Sequence, residues 1–198
     1  MTVEHREHIR HDRGFDLYEP FRIDMKAATI AGLVAGVVFL LFEMALTPAI
    51  GGWFWGPPHM MSMFAYGADP MPFTPGNFEL GVFLVGVTTH LILSVVFTVA
   101  LAVLVRRQST ALAAAIGAGY GFLLYIVNFY FFTAVFEWFI AARSVVNWAA
   151  HVLFGLIAGP LYVVLAHRFR ERRHERVGTR RVETERHVEY PGGAEPVT

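Results

Sequence analysis

Four long apolar runs, separated by short polar breaks, organise this chain. They cover about Met25 to Leu46, Leu80 to Val105, Ala111 to Phe136 and Ser144 to His167. Leu80 to Val105 carries no formally charged residue, and neither does Gln108 to Phe136. A run of about 20 apolar residues crosses the hydrocarbon layer of a bilayer. A single segment can do so only as a helix, because lipid offers no partners for backbone N–H and C=O groups. The alternating segments of about ten residues that build membrane barrels are missing. The pattern therefore predicts an all-α fold, an integral membrane four-helix bundle over residues 25–168. An amino tail (1–24) precedes it and a charged, partly disordered carboxyl tail (169–198) follows. The first run comes after a charged leader of about 25 residues, too long for a cleaved signal sequence, so it is expected to stay as an anchor.

Composition and charge add orientation. Of the 198 residues 55% are hydrophobic and 16% charged, against roughly 25% charged in soluble domains. The net charge of zero hides a strong asymmetry. Arg6, Arg10, Arg13, Arg22 and Lys26 precede the first run, Arg106 and Arg107 follow the second, and eight arginines lie between Arg168 and Arg186. Only Arg143 lies on the other side. Basic residues are retained in the cytoplasm, so both termini are expected there (N-in/C-in), with a long outer loop, Thr47 to Glu79, between helices 1 and 2. After His167 arginines alternate with Glu and His, a solvated pattern that predicts a few more helical turns and then disorder through Pro191 to Thr198. Lipid headgroups are the expected partners of these arginines. No nucleic acid is needed, because the interleaved glutamates cancel most of the field.

Each run carries one stripe of small or polar residues at helical spacing. The stripes are Ala28, Gly32, Gly36, Phe39 and Glu43; Gly86, His90 and Ser94; Ala113, Gly117, Gly121 and Asn128, with Tyr125 alongside; and Ser144, Asn147, His151, Gly155 and Gly159. Small residues so spaced let helices approach closely in lipid, so the stripes are expected to face one another. The same code joins separate chains, which leaves a homo-oligomer or a subunit of a larger membrane complex open. At about 1.5 Å per residue, His90, Asn128 and His151 fall in the outer half of the bundle and the glycines of helices 1 and 3 in the inner half. Glu43, Asn147 and Glu137 lie nearer the outer boundary, where Arg143 is a possible partner for Glu137.

Buried ionisable groups in a membrane usually face the interior and mark a site. His90 and His151 on different helices could hold a transition metal or the two axial positions of a haem b, with Glu43 as a ligand or as the acceptor orienting an imidazole. The plainer reading is polar glue, hydrogen bonds across the bundle to Ser94, Asn128 or each other. A proton or solute path is the third. In the outer loop, His59, Met60, Met61 and Met63 resemble a thioether-rich copper cluster, although methionines also sit comfortably at a membrane surface. Trp53, Phe54, Trp55 and Tyr66 suit an interfacial aromatic belt. Pro57, Pro58, Pro70, Pro72 and Pro75 predict an ordered, non-helical cap.

Enzyme motifs are missing: the sequence holds no phosphate-binding glycine loop, no HExxH and no GxSxG. It has no cysteine either, which excludes disulfides and thiolate chemistry. The two halves differ in loop length, unlike inverted-repeat transporters. The run from Gly86 to Phe97 ("GVTTHLILSVVF"), the segment Ile30 to Val38 ("IAGLVAGVV") and His151 with its apolar continuation resemble the YagU-type family of small bacterial inner-membrane proteins. That resemblance implies a multi-pass inner (plasma) membrane protein loosely linked to acid tolerance, with no established catalytic residue. Only His90 and His151 carry over as distinctive positions; Glu43, the Met-rich loop and the arginine-rich tail depart from the pattern. The leading expectation is a non-enzymatic inner-membrane protein with a histidine-containing polar pocket facing the periplasm. A haem- or metal-binding subunit for electron transfer or metal handling, and a small proton or solute conduit, are the alternatives.

Overall fold

The computed structural model describes residues 22–67 and 78–189. Among them every regular element is helical: α1 (Met25–Leu46), α2 (Gly56–Tyr66), α3 (Leu80–Val105), α4 (Thr110–Ile126) and α5 (Val145–Glu189). Short 3₁₀ turns occupy Thr47–Ile50, Phe132–Ala134 and Glu137–Ala142, and a π-helical turn occupies Val127–Phe131. Four helical segments are long and apolar enough to cross a membrane: Met25–Ile50, Leu80–Val105, Thr110–Ala134 and Val145–Arg173, with mean hydropathy from 1.8 to 2.3. Their outward faces carry Leu41, Leu84, Ile92, Val96, Phe122 and Leu123, all exposed. Apolar surface on that scale belongs against lipid rather than water.

Local chemistry sets the helix starts. The Asp24 carboxylate accepts from the Ala27 N–H (3.0 Å) at the head of α1, and Ser109 Oγ accepts from the Leu112 N–H (3.3 Å) at the head of α4. Each satisfies one of the amides left free in a first helical turn.

The bundle is ordered α4–α5–α1–α3, with α2 lying on α3. Small residues set the spacing. Ala27, Ala28, Ala31 and Ala35 of α1 are fully buried, as are Ala102 of α3, Ala113 of α4 and Ala158 of α5. Between α4 and α5 the backbones nearly touch. A methyl group on Gly117 would overlap the Gly155 carbonyl, and one on Gly121 the His151 carbonyl. Between α1 and α3, a methyl on Gly32 would stand 2.8 Å from Val95 Cα and one on Gly36 2.7 Å from Ser94 Cβ. At this same end of the bundle the Asp24 N–H donates to Tyr162 Oη (3.4 Å), Arg173 pairs with Asp24 (3.6 Å) and Lys26 lies 5.0 Å over the Phe169 ring.

Four expectations change. Gly86 does not face another spanning helix; a methyl there would overlap the Pro58 carbonyl, so this glycine seats α2 on α3. The outer connection is not a non-helical cap, because Pro57 and Pro58 stand in the first turn of α2, where a missing N–H costs nothing. Pro70, Pro72 and Pro75 lie outside the described residues. The third run stops being α-helical at Ile126 rather than Phe136, giving way to π and 3₁₀ turns. The last helix continues to Glu189 rather than for a few turns past His167, since Arg and Glu are good helix formers and His167 pairs with Glu171 one turn on (3.4 Å). The disorder expected from Pro191 onward and the tail before Arg22 fall outside the described residues.

Gly155→Leu is expected to destabilise the protein by at least ~3 kcal/mol, because the carbonyl it meets is backbone and cannot turn aside. Gly119, with nothing within 4 Å of its missing methyl, should tolerate alanine within about 0.5 kcal/mol. Thermal unfolding midpoints in detergent check the pair; equal midpoints would refute the close contact.

Candidate functional site

Where the glycines and alanines end, the helices part around a cavity of about 880 Å³. Its walls come from the last turns of α1, the middle of α3, the end of α4 with its π-helical turn, and the start of α5. Met60, Met61 and Phe64 of α2 and Phe139 of the turn Glu137–Ala142 also line it. Such a volume is typical of a small-molecule site, and so is a mostly apolar wall with a few polar groups.

All five polar residues anticipated inside the membrane line this cavity: Glu43, His90, Asn128, Asn147 and His151. Phe39 stands at the centre of the floor. Its ring packs against both imidazoles, 4.9 Å from each centroid, which puts His90 and His151 at one level of the bundle. Tyr125 and Phe129 complete the ring of aromatics around His151, at 5.8 and 5.6 Å.

The hydrogen bonds fix the tautomers. His90 Nε2–H donates to the Gly36 carbonyl (3.0 Å), tying α3 to α1 at their closest approach, with Ser94 Oγ at a longer 3.5 Å. His151 Nδ1–H donates to the Asn147 carbonyl (2.8 Å), so its Nε2 is an acceptor, and Asn128 Nδ2 donates to it (3.2 Å). Ser94 and Thr98 donate back to carbonyls one turn earlier, His90 and Ser94 (2.8 Å each). The two histidines thus bond to other partners rather than to one another. Two groups on the floor are left over. Asn147 Oδ1 is buried with no donor among the described residues. The Glu43 side chain, 8% exposed, has neither a hydrogen bond nor an ion pair among the described residues.

This geometry does not fit a haem or metal held by the two histidines. A shared ion needs a free nitrogen from each ring aimed at one point, whereas three of the four ring nitrogens here are engaged by Gly36, Asn147 and Asn128. Nor do three His, Asp or Glu groups converge into a set that could hold a metal ion among the described residues. The thioether cluster is divided by its own helix. Met60 and Met61 face the cavity, while His59 and Met63, one turn apart, are buried on another face of α2. His59 Nδ1–H donates to the Trp55 carbonyl (2.8 Å) and its ring rests against Trp53, 4.6 Å between centroids.

Sequence reasoning missed the part played by Arg143. Rather than pairing with Glu137, it donates from Nε to the Phe129 carbonyl (2.7 Å) and from Nη2 to Thr133 Oγ1 (3.0 Å), and it lies 4.6 Å over the Tyr130 ring. The Phe129 carbonyl also accepts from the Thr133 hydroxyl (3.3 Å), and the π-helical turn that holds it, a type common at functional positions, puts Asn128 and Phe129 on the cavity lining. A single arginine among apolar runs was the available signal.

No protein-family model matches the chain, and no match is found among curated proteins or solved structures.

Burial pushes the His59 imidazole below its usual range, with the Trp55 carbonyl and the Glu79 charge pulling the other way. The folded state therefore favours the neutral ring. The seat of α2 is fully held above the free imidazole value of 6.5 and weakens as pH falls below it. Amides of Gly56–Tyr66 should exchange hydrogen faster at about pH 5 than at about pH 7.5, after correction for intrinsic rates. His59→Asn should remove that difference; an unchanged pH dependence would contradict the assignment.

Proposed function

We propose that this chain is a non-enzymatic, multi-pass protein of the bacterial inner membrane, with both termini in the cytoplasm, whose histidine-floored cavity opens to the periplasm and binds a small molecule. One observation carries the reading: a cavity of about 880 Å³ at one end of the bundle, polar at its floor and aromatic on its walls, with a buried Glu43 that the protein leaves unpartnered. The histidines act as struts. They fix Phe39 and the helix ends around the cavity, a use of imidazole worth about 0.6 kcal/mol per bond in membrane bundles.

The basic residues support the orientation. Among the described residues, Lys26, Arg106 and Arg173 belong to the end away from the cavity, and Arg143 is the one Lys or Arg at the cavity end, as retention of positive charge in the cytoplasm requires. The resemblance to YagU-type proteins suits the same membrane. A conduit is disfavoured by the packing beneath the floor, where fully buried Ala28, Leu101, Ala102, Val105 and Ala158 fill the space between helices.

The absence of cysteine makes the test direct. In spheroplasts, a membrane-impermeant thiol reagent should modify Thr89→Cys, on the cavity wall, from the periplasmic side. Gln108→Cys should react only after the membrane is opened, and Ala102→Cys in neither case. Modification of Thr89→Cys from the cytoplasmic side alone would overturn the orientation, and none from either side would remove the open cavity.

A further inference from the structure

We propose that the cavity selects a protonated lipophilic amine, with the Glu43 carboxyl receiving its N–H groups and the phenylalanine walls enclosing its apolar body. The inference deepens the binding reading above and rests on it.

Glu43 is the ionisable group at the floor that the protein leaves without a partner. The imidazole donors beside it are spent inside the protein, His90 Nε2–H on Gly36 and His151 Nδ1–H on Asn147, and Asn128 Nδ2 donates to His151. The Glu43 carboxyl lines the cavity with neither a hydrogen bond nor an ion pair among the described residues. An unpaired buried carboxylate is costly. The ligand that relieves it brings N–H donors and positive charge. The protein does not supply that charge itself, because the guanidinium of Arg143 is taken up by the Phe129 carbonyl, Thr133 and the Tyr130 ring.

The walls agree with the floor. Phe39, Phe129, Phe136 and Phe139 line the space, and the faces of such rings attract a cation, more strongly once it is desolvated. An anion would face the Glu43 carboxyl at close range, like charge against like. A neutral molecule that only accepts hydrogen bonds would leave the floor as it is.

Three ligands with one apolar body separate the possibilities: 4-phenylbutylamine, 4-phenylbutanol and 4-phenylbutyrate, titrated into the full chain in lipid nanodiscs with empty nanodiscs as the background. The amine is expected to bind about tenfold or more tightly than the alcohol, and the acid not at all, a difference of about 1.4 kcal/mol. Glu43→Gln should bring the amine down to the affinity of the alcohol while leaving the alcohol unchanged, which also shows that the variant is folded. Equal binding of amine and alcohol, or an amine affinity untouched by Glu43→Gln, would overturn the cation selectivity and leave the binding cavity standing. Failure of all three to bind would take down the binding reading itself.

Discussion

Everything in this fold depends on how closely two backbones can come together in lipid. Apolar side chains gain little from leaving hydrocarbon for a protein interior, so spanning helices are held by contact and by hydrogen bonds rather than by exclusion of water. At Gly117 and Gly155 the helices α4 and α5 meet with no side chain between them. At Gly32 and Gly36 the helix α1 does the same against α3. Those contacts hold one half of the bundle shut. The other half opens where those stripes change from glycine and alanine to Phe39, Asn128 and His151, all on the cavity lining. Tight end and cavity are one pattern read along each helix.

The polar groups follow the same division. Hydrogen bonds inside the membrane must be satisfied locally, and His90 and His151 obey by donating to carbonyls of Gly36 and Asn147. Each bond lies where a helix changes from close packing to cavity lining. The imidazoles thus act at the seam, and the unpartnered carboxyl of Glu43 is left on the cavity lining. Arg143 is held at the π-helical turn by donating to the Phe129 carbonyl.

Much of this was legible in the sequence, for identifiable reasons. The four spans follow from long uncharged runs, and the packing stripes from residues repeating at helical spacing. Glu43, His90, Asn128, Asn147 and His151 could be placed on one lining because depth and face are both set by residue number in a straight helix. What could not be read were features decided by neighbours. Pro57 and Pro58 look like helix breakers until they are seen in a first turn. Gly86 looks like part of an interhelical stripe until Pro58 is found lying on it. The ring nitrogens looked available to a metal until their carbonyl partners were seen, and the Met-rich run looked convergent until α2 turned Met60 and Met61 away from His59 and Met63. The end of α4 at Ile126 was invisible to composition, since Val127 to Phe131 is as apolar as what precedes it.

The claim that one end of the bundle is dry and packed while the other holds an accessible polar floor can be tested directly by water-edited solid-state NMR on labelled protein in bilayers. Magnetisation from water should build up early on Thr89, Asn147 and His151, and late or never on Ala28, Ala102, Ala113 and Ala158. Comparable water contact at the two sets, or a dry His151 beside wet alanines, would contradict the account.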